Sequence, residues 1–310
     1  MSNFSLQKLK GQSFIVSGII IIIVSAIFRV IVFFVGLILL KNRNLFYFEH
    51  IWIYALFILG AFLNVPGKSL LQKGKQLTVI TGEELLGKDK RPPVVYLRSF
   101  KDDVMMANVP GRNQPSVLSN ALGIGPLFSL ARDLSTSSEE EILARVLYRI
   151  GPCVAAGSPE EKLPPVGMAR FYYPNDEWES KILQLMKEAN LVIMRAGTTD
   201  GFWRELEMSV EHLDPRKVMI LLPYEPTPET NELVSLNLAS GDPRGSYRVF
   251  AEKADKILPE KLPGFEGKRL PEANLTGVVW FRDDWKPRIT CFSHSGDTIS
   301  QALRKVFSYY

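Results

Sequence analysis

Apolar residues are spread very unevenly along this chain of 310 residues. From 14 to 40 they form an almost unbroken run whose one charge is Arg29. As a helix the run would be about 40 Å long, against roughly 30 Å of bilayer hydrocarbon. A second apolar segment, 51–65, follows the polar link Lys41-Asn-Arg-Asn44, and Pro66-Gly67 closes it. The pattern predicts a transmembrane helical hairpin over residues 1–67. The first run is too long for the core of a signal peptide, and no small-x-small cleavage site follows it. Lys8, Lys10, Lys68, Lys73 and Lys75 flank the hairpin on one side, and only Lys41 and Arg43 lie in the link. The positive-inside rule then places both termini and the soluble part in the cytoplasm. Arg29 is costly in lipid, which predicts either snorkelling or a helix–helix or subunit contact.

Beyond a polar connector, 68–92, the periodicity changes to that of a globular α/β domain over 93–310. A β-rich run at 94–100 ends in the turn residues Lys101-Asp-Asp103, and 104–137, rich in Gly, Pro, Ser and Asn, reads as a long insertion. Ser138 and Glu141 have the spacing of a capping box. Behind them Ile142, Leu143, Val146, Leu147 and Ile150 lie on one helical face. Further strands are predicted at 153–156, 191–194, 218–222 and 277–281. Helices are predicted after a cap at Asp176 and Glu179, then over 201–213, 231–239, 248–258 and 299–307. Continuous apolar strands alternating with helices predict one doubly wound sheet of five parallel strands with right-handed crossovers.

Composition narrows the chemistry. The net charge of +4 is modest and no basic block is interleaved with aromatics, which argues against nucleic-acid binding. Cys153 and Cys291 are the only cysteines, the histidines His50, His212 and His294 lie far from one another, and only His294 falls near a cysteine, three residues after Cys291. No metal site is expected from such spacing, nor a disulfide framework. Neither a Gly-x-Ser-x-Gly elbow nor a Gly-x-x-x-x-Gly-Lys phosphate loop occurs.

The most informative stretch is Leu191-Val-Ile-Met-Arg-Ala-Gly-Thr-Thr-Asp-Gly-Phe-Trp-Arg-Glu-Leu-Glu207. A buried strand meets a small-residue turn at the sheet edge where α/β proteins bind ligands. Trp203 and Glu207 then fall one helical turn apart. An aromatic platform beside a carboxylate suits a planar cation such as a nicotinamide nucleotide. The alternative is Trp203 as core and Glu207 as a solvated surface acid.

In the order of these motifs the chain resembles a divergent TIR-type domain, a flavodoxin-like fold, joined to a two-helix anchor as in a group of bacterial membrane proteins. Tyr96-Leu-Arg-Ser-Phe-Lys-Asp-Asp103 is similar to the family's opening strand, Glu160-Glu-Lys-Leu-Pro-Pro-Val-Gly167 to its loop after the second strand, and Trp203-Arg-Glu-Leu-Glu207 to its Trp-x-x-x-Glu helix. The resemblance implies NAD as a substrate cleaved at the nicotinamide–ribose bond. Glu207 would be the essential acid, with Glu205 as a second candidate on the same helix. Trp203 would line the nicotinamide pocket. Arg98, Ser99 and Phe100, with Gly157 and Ser158 at the start of the second loop, would bind the rest of the dinucleotide. The alternative it implies is a non-catalytic module that works by self-association at the bilayer of a bacterial inner membrane. A third reading rests on Asp200-Gly201 before Glu205, which resembles the nucleoside deoxyribosyltransferases and would make Glu205 a nucleophile on ribose.

Overall fold

The structure, a computed structural model, describes residues 3–41, 51–98, 138–157, 164, 166–174, 176–223, 243–265, 275–292, 301 and 303. They form two compact units, divided between Val79 and Ile80. The predicted insertion 104–137, the 231–239 helix, Ser99, Phe100, Ser158, His50 and His294 lie outside the described residues.

In the first unit, helix α1 (Asn3–Lys41) packs antiparallel on α2 (Ile51–Leu77). Between Gln7 and Gly36, α1 is long and apolar enough to cross a membrane, with a mean hydropathy of 2.9. The helices touch at small residues spaced seven apart on each. A side chain on Gly74 would stand 2.7 Å from the backbone of Gly11 and Ile15, and one on Gly18 would stand 2.7 Å from that of Gly67 and Leu71. Seven residues further along α1, the Ser25 hydroxyl donates to the carbonyl of Gly60 at 2.6 Å. Such close backbone approach is how apolar helices associate where no hydrophobic force separates them from lipid. Arg29 is buried in this seam, its Nε donating to the Ser25 carbonyl at 3.3 Å, and Gly60 leaves room for its stem. Of the two expectations for Arg29, the helix contact is the one seen.

Pro66 does not end α2, as the sequence pattern suggested; the helix runs on to Leu77 with the proline inside it. Pro66 removes one backbone donor, and the contacts of Gly67 and Gly74 with α1 hold the helix together beyond it. Residues 68–77 of the expected connector are therefore helical, and Gly82–Lys88 form a further helix, α3, capped by Thr81.

The second unit is α/β. Its sheet has seven strands, in the order β3 (Ala169–Tyr172), β2 (Cys153–Gly157), β1 (Val94–Leu97), β4 (Leu191–Arg195), β5 (Val218–Pro223), β6 (Leu275–Phe281) and β7 (Pro287–Cys291). The first five pair in parallel, and β6 and β7 are antiparallel additions. Alternate residues serve opposite faces. Val95 and Leu97 join a core with α5 (Trp178–Glu188), α6 (Asp200–His212) and α7 (Pro243–Ala254); Val94 and Tyr96 join another with α4 (Glu139–Leu147). Burial on both faces explains why these strands read as continuous apolar runs.

The sheet is thus mixed rather than the expected five parallel strands. The strand expected at 277–281 is antiparallel β6. Neither β3 nor β7 is visible in the pattern, because each is short and carries an arginine, Arg170 or Arg288, as its second residue. The cap expected at Asp176 and Glu179 is also absent: Glu177 holds the N-cap position of α5 without a side-chain hydrogen bond.

Candidate functional site

Strand order reverses between β1 and β4, since the chain turns from β1 towards β2 and β3 on one side and from β4 towards β5 on the other. Ligands of open α/β sheets bind in the crevice at the carboxyl ends of such a pair. Here Arg98 follows β1 and Arg195 ends β4, and both are buried.

Helix α4 begins beside them. Ser138 Oγ accepts from the Glu141 amide at 3.1 Å, and the Ser138 amide donates to Glu141 Oε2 at 2.8 Å, which completes the capping box read from the sequence. Ser138 Oγ also donates to the Val166 carbonyl at 2.8 Å, tying the cap to the segment before β3. This cap turns Glu139 and Glu140 inward, into the sheet edge. Glu140 accepts from Arg170 Nη2 at 2.8 Å on both oxygens and from the Met168 amide at 3.0 Å, with Arg98 Nη2 at 3.4 Å. Arg170 spends a second nitrogen on the Ala156 carbonyl at 3.1 Å. Gly167 is required at this point twice over: its φ is +147°, and a side chain on it would stand 2.7 Å from Glu140 Cγ.

Glu139 pairs with Arg195. Among the described residues its other oxygen has no hydrogen-bond partner, nor have the Tyr96 hydroxyl and Arg170 Nε. Burial pushes the Glu139 carboxyl up to about 7; Arg195 and Arg98 oppose the shift and Glu140 adds to it. Burial likewise raises the Tyr96 hydroxyl, which stays protonated. Three guanidiniums, two carboxylates and a phenol are thus packed between α4 and the ends of β1, β3 and β4. Chemically, Glu139 is a carboxyl able to give or take a proton near neutral pH at the switch point.

Only Arg98 of this cluster was a candidate from sequence, and its side chain, 3% exposed, lies against Glu140. The others carry no local motif. Glu139 and Glu140 read as ordinary first-turn acids, and Arg170 and Arg195 as breaks in apolar runs. The capping box was the one available signal, because it fixes which way the first turn of α4 faces.

The remaining candidates sit on or near α6, which Thr199 caps. Trp203 is half-buried against the core, stacked on Phe250 with ring centroids 5.8 Å apart and with Lys253 Nζ 5.7 Å from its ring. Glu207 is 44% exposed and pairs with Arg204 at 3.3 Å; Arg204 also pairs with Glu179 of α5. Glu205 points inward, 5% exposed, and burial raises its carboxyl to about 8. No described side chain hydrogen-bonds that carboxyl; Ser209 donates to its backbone carbonyl at 2.8 Å. Helices α4 and α6 cover opposite faces of the sheet, so the buried acids Glu139 and Glu205 belong to different environments. At the end of β2, Gly157 packs under Tyr172, whose ring atoms a side chain there would meet at 2.9 Å and closer. His212 is exposed beside Glu211, and Cys153 is buried, with its thiol pushed up to about 12 by burial, whereas Cys291 is partly exposed.

Comparison of the chain with protein-family models, with curated proteins and with solved structures gave no match.

Proposed function

We propose that this protein is a membrane-anchored, TIR-like interaction module that works by association rather than by cleaving NAD through Glu207. The observation that carries the reading is the setting of Glu207, which is half-exposed and ion-paired on the outside of α6. A carboxylate speeds nicotinamide loss by stabilising positive charge on the ribose, and it does so in a dry site. In water two charges 4 Å apart interact by only about 1 kcal/mol, and the interaction strengthens as the surrounding dielectric falls. Glu205 does not replace it. Burial raises its carboxyl to about 8 and so favours the neutral form, and a neutral acid is a poor nucleophile for the deoxyribosyltransferase reaction.

The TIR-like, flavodoxin-like part of the reading is supported by the order β2-β1-β4-β5 with parallel pairing. In this reading β3 is added at one edge and β6 stands where the family has a fifth parallel strand. The anchor is the α1–α2 hairpin, placed in a bacterial inner membrane with both termini and the α/β unit in the cytoplasm. Support comes from the apolar length of α1 and from the lysines at one end of the pair.

A second reading, NAD cleavage at an interface between copies, draws on the one-turn spacing of half-buried Trp203 and Glu207 on α6. A second copy laid over that face would exclude water from both. The separating experiment is an assay of nicotinamide release by full-length protein in liposomes, at low and at high surface density. The module reading expects no release at either density, with self-association that rises with density. Release at high density alone, lost in Glu207→Ala, would favour the second reading.

A further inference from the structure

The glycine seam fixes more than the helix crossing. Because Gly11 meets Gly74 and Gly18 meets Gly67, the start of α1 lies level with the end of α2. Lys8 and Lys10 are thereby brought beside Lys73 and Lys75, with Lys68 nearer the apolar part of the pair. Neither helix contains an Asp or Glu. Lys10 and Lys73 are exposed and Lys8 is half-buried; Lys10 Nζ lies 5.8 Å from the ring of Phe14, where the apolar run begins. Along the helix axis, the stretch of α2 from Lys68 to Lys75 covers about 10 Å. Lys73 and Lys75, about 3 Å apart along that axis, lie well within the roughly 8 Å Debye length at physiological salt and so act on a nearby surface together. In the sequence, the link between the two apolar runs carries only Lys41 and Arg43, with Glu49 following.

We infer that Lys8, Lys10 and Lys73 form a basic collar at one end of the α1–α2 hairpin that binds the anionic headgroups of phospholipids in the adjoining leaflet. The inference rests on reading the hairpin as a membrane anchor. The ligand chemistry is a phosphodiester held by ammonium groups at the water–hydrocarbon boundary. Phosphatidylglycerol, which carries a net negative charge, fits it, whereas the zwitterionic phosphatidylcholine does not. Each lysine close to an anionic surface is worth about a fivefold change in binding. The collar therefore selects which lipid surrounds the anchor and adds to the hydrophobic fit of α1.

The test uses full-length protein purified in a neutral detergent and titrated with short-chain phosphatidylglycerol, short-chain phosphatidylcholine and sodium phosphate. Phosphatidylglycerol is expected to bind at least ~10-fold tighter than phosphatidylcholine, with the preference falling steeply in about 0.5 M NaCl. The K8Q/K10Q/K73Q variant, checked for unchanged helicity by circular dichroism, is expected to lose it. Equal affinity for the two lipids, a preference unchanged in the variant, or inorganic phosphate binding as tightly as phosphatidylglycerol would each overturn the collar. Alkaline carbonate extraction of the protein from vesicles separates the two levels. Protein that stays in the vesicles without lipid preference refutes the collar alone. Protein released by carbonate refutes the anchor and the collar with it.

Discussion

Glu140 and Arg170, thirty positions apart in the chain, meet in the interior with one guanidinium nitrogen 2.8 Å from each carboxylate oxygen. The contact binds the first turn of α4 to β3, and through Arg98 to the end of β1. Both partners are almost wholly buried, so removing Glu140 strands the Arg170 guanidinium without the carboxylate it pairs with. Breaking such a pair costs about 3–5 kcal/mol. Glu140→Ala is expected to lower the unfolding free energy by about that amount, measured by urea titration of the full-length protein. Replacing both partners together, Glu140→Leu with Arg170→Met, is expected to cost less than the single change. A single-mutant loss under about 1 kcal/mol would show that the pair does not hold the sheet edge.

Two buried acids give the stability a definite pH dependence. Glu139 and Glu205 are raised by burial from the ordinary 4.5 to about 7 and about 8. A carboxyl whose folded value is raised contributes stability that is present in full below its unfolded value. That contribution is lost as pH rises through the folded value. Stability is therefore expected to fall between about pH 5 and pH 8, and Glu139→Gln and Glu205→Gln should each flatten part of the fall. Thermal midpoints recorded across that range check this. A midpoint that rises over the same interval would contradict the burial of both acids.

The helix seam makes a steric prediction. A methyl group at position 18 would stand 2.7 Å from backbone atoms of α2, and one at position 74 would stand 2.7 Å from those of α1. Gly18→Val and Gly74→Val are expected to separate the helices, which spin labels placed on α1 and α2 would report as a longer distance. Ser25→Ala removes one hydrogen bond and is expected to cost about 1 kcal/mol while leaving the register intact. Unchanged label distances in both valine variants would rule out the close crossing.

Glu207 and Trp203 are expected to behave unlike a catalytic pair. Glu207→Ala breaks an exposed ion pair and should change stability by no more than about 0.5 kcal/mol. Trp203→Ala removes a ring stacked on Phe250 and should cost about 2–3 kcal/mol, part of the 3–5 kcal/mol of a fully buried aromatic. Comparable losses in the two variants would mean that Glu207 is engaged in a way its exposure does not suggest.

How much of this was legible in the sequence follows from the range of each interaction. The capping box at Ser138 and Glu141, the runs expected at 94–100, 153–156, 191–194 and 218–222, which overlap β1, β2, β4 and β5, and the apolar length of α1 depend on neighbours within a few residues, and all were readable. Strand β3 was not, because Arg170 interrupts its apolar pattern and its partner Glu140 lies in a different helix. The direction of β6 was hidden for a related reason: apolar periodicity reports burial and is blind to whether a strand runs with or against its neighbour. Pro66 misled because a local rule for helix ends was overridden by packing against α1. The charge cluster between α4 and the strand ends was the least legible feature. Its members come from four separate segments, and only the fold brings them together.

The most direct test of the interaction-module account is nicotinamide release from NAD⁺ by full-length protein clustered at high density in liposomes, beside the Glu207→Ala and Glu205→Ala variants. The account predicts no release above the protein-free background in any of the three, together with density-dependent self-association of the wild type. Sustained release by the wild type that Glu207→Ala abolishes and Glu205→Ala spares would contradict it, and would make the exposed face of α6 an active site.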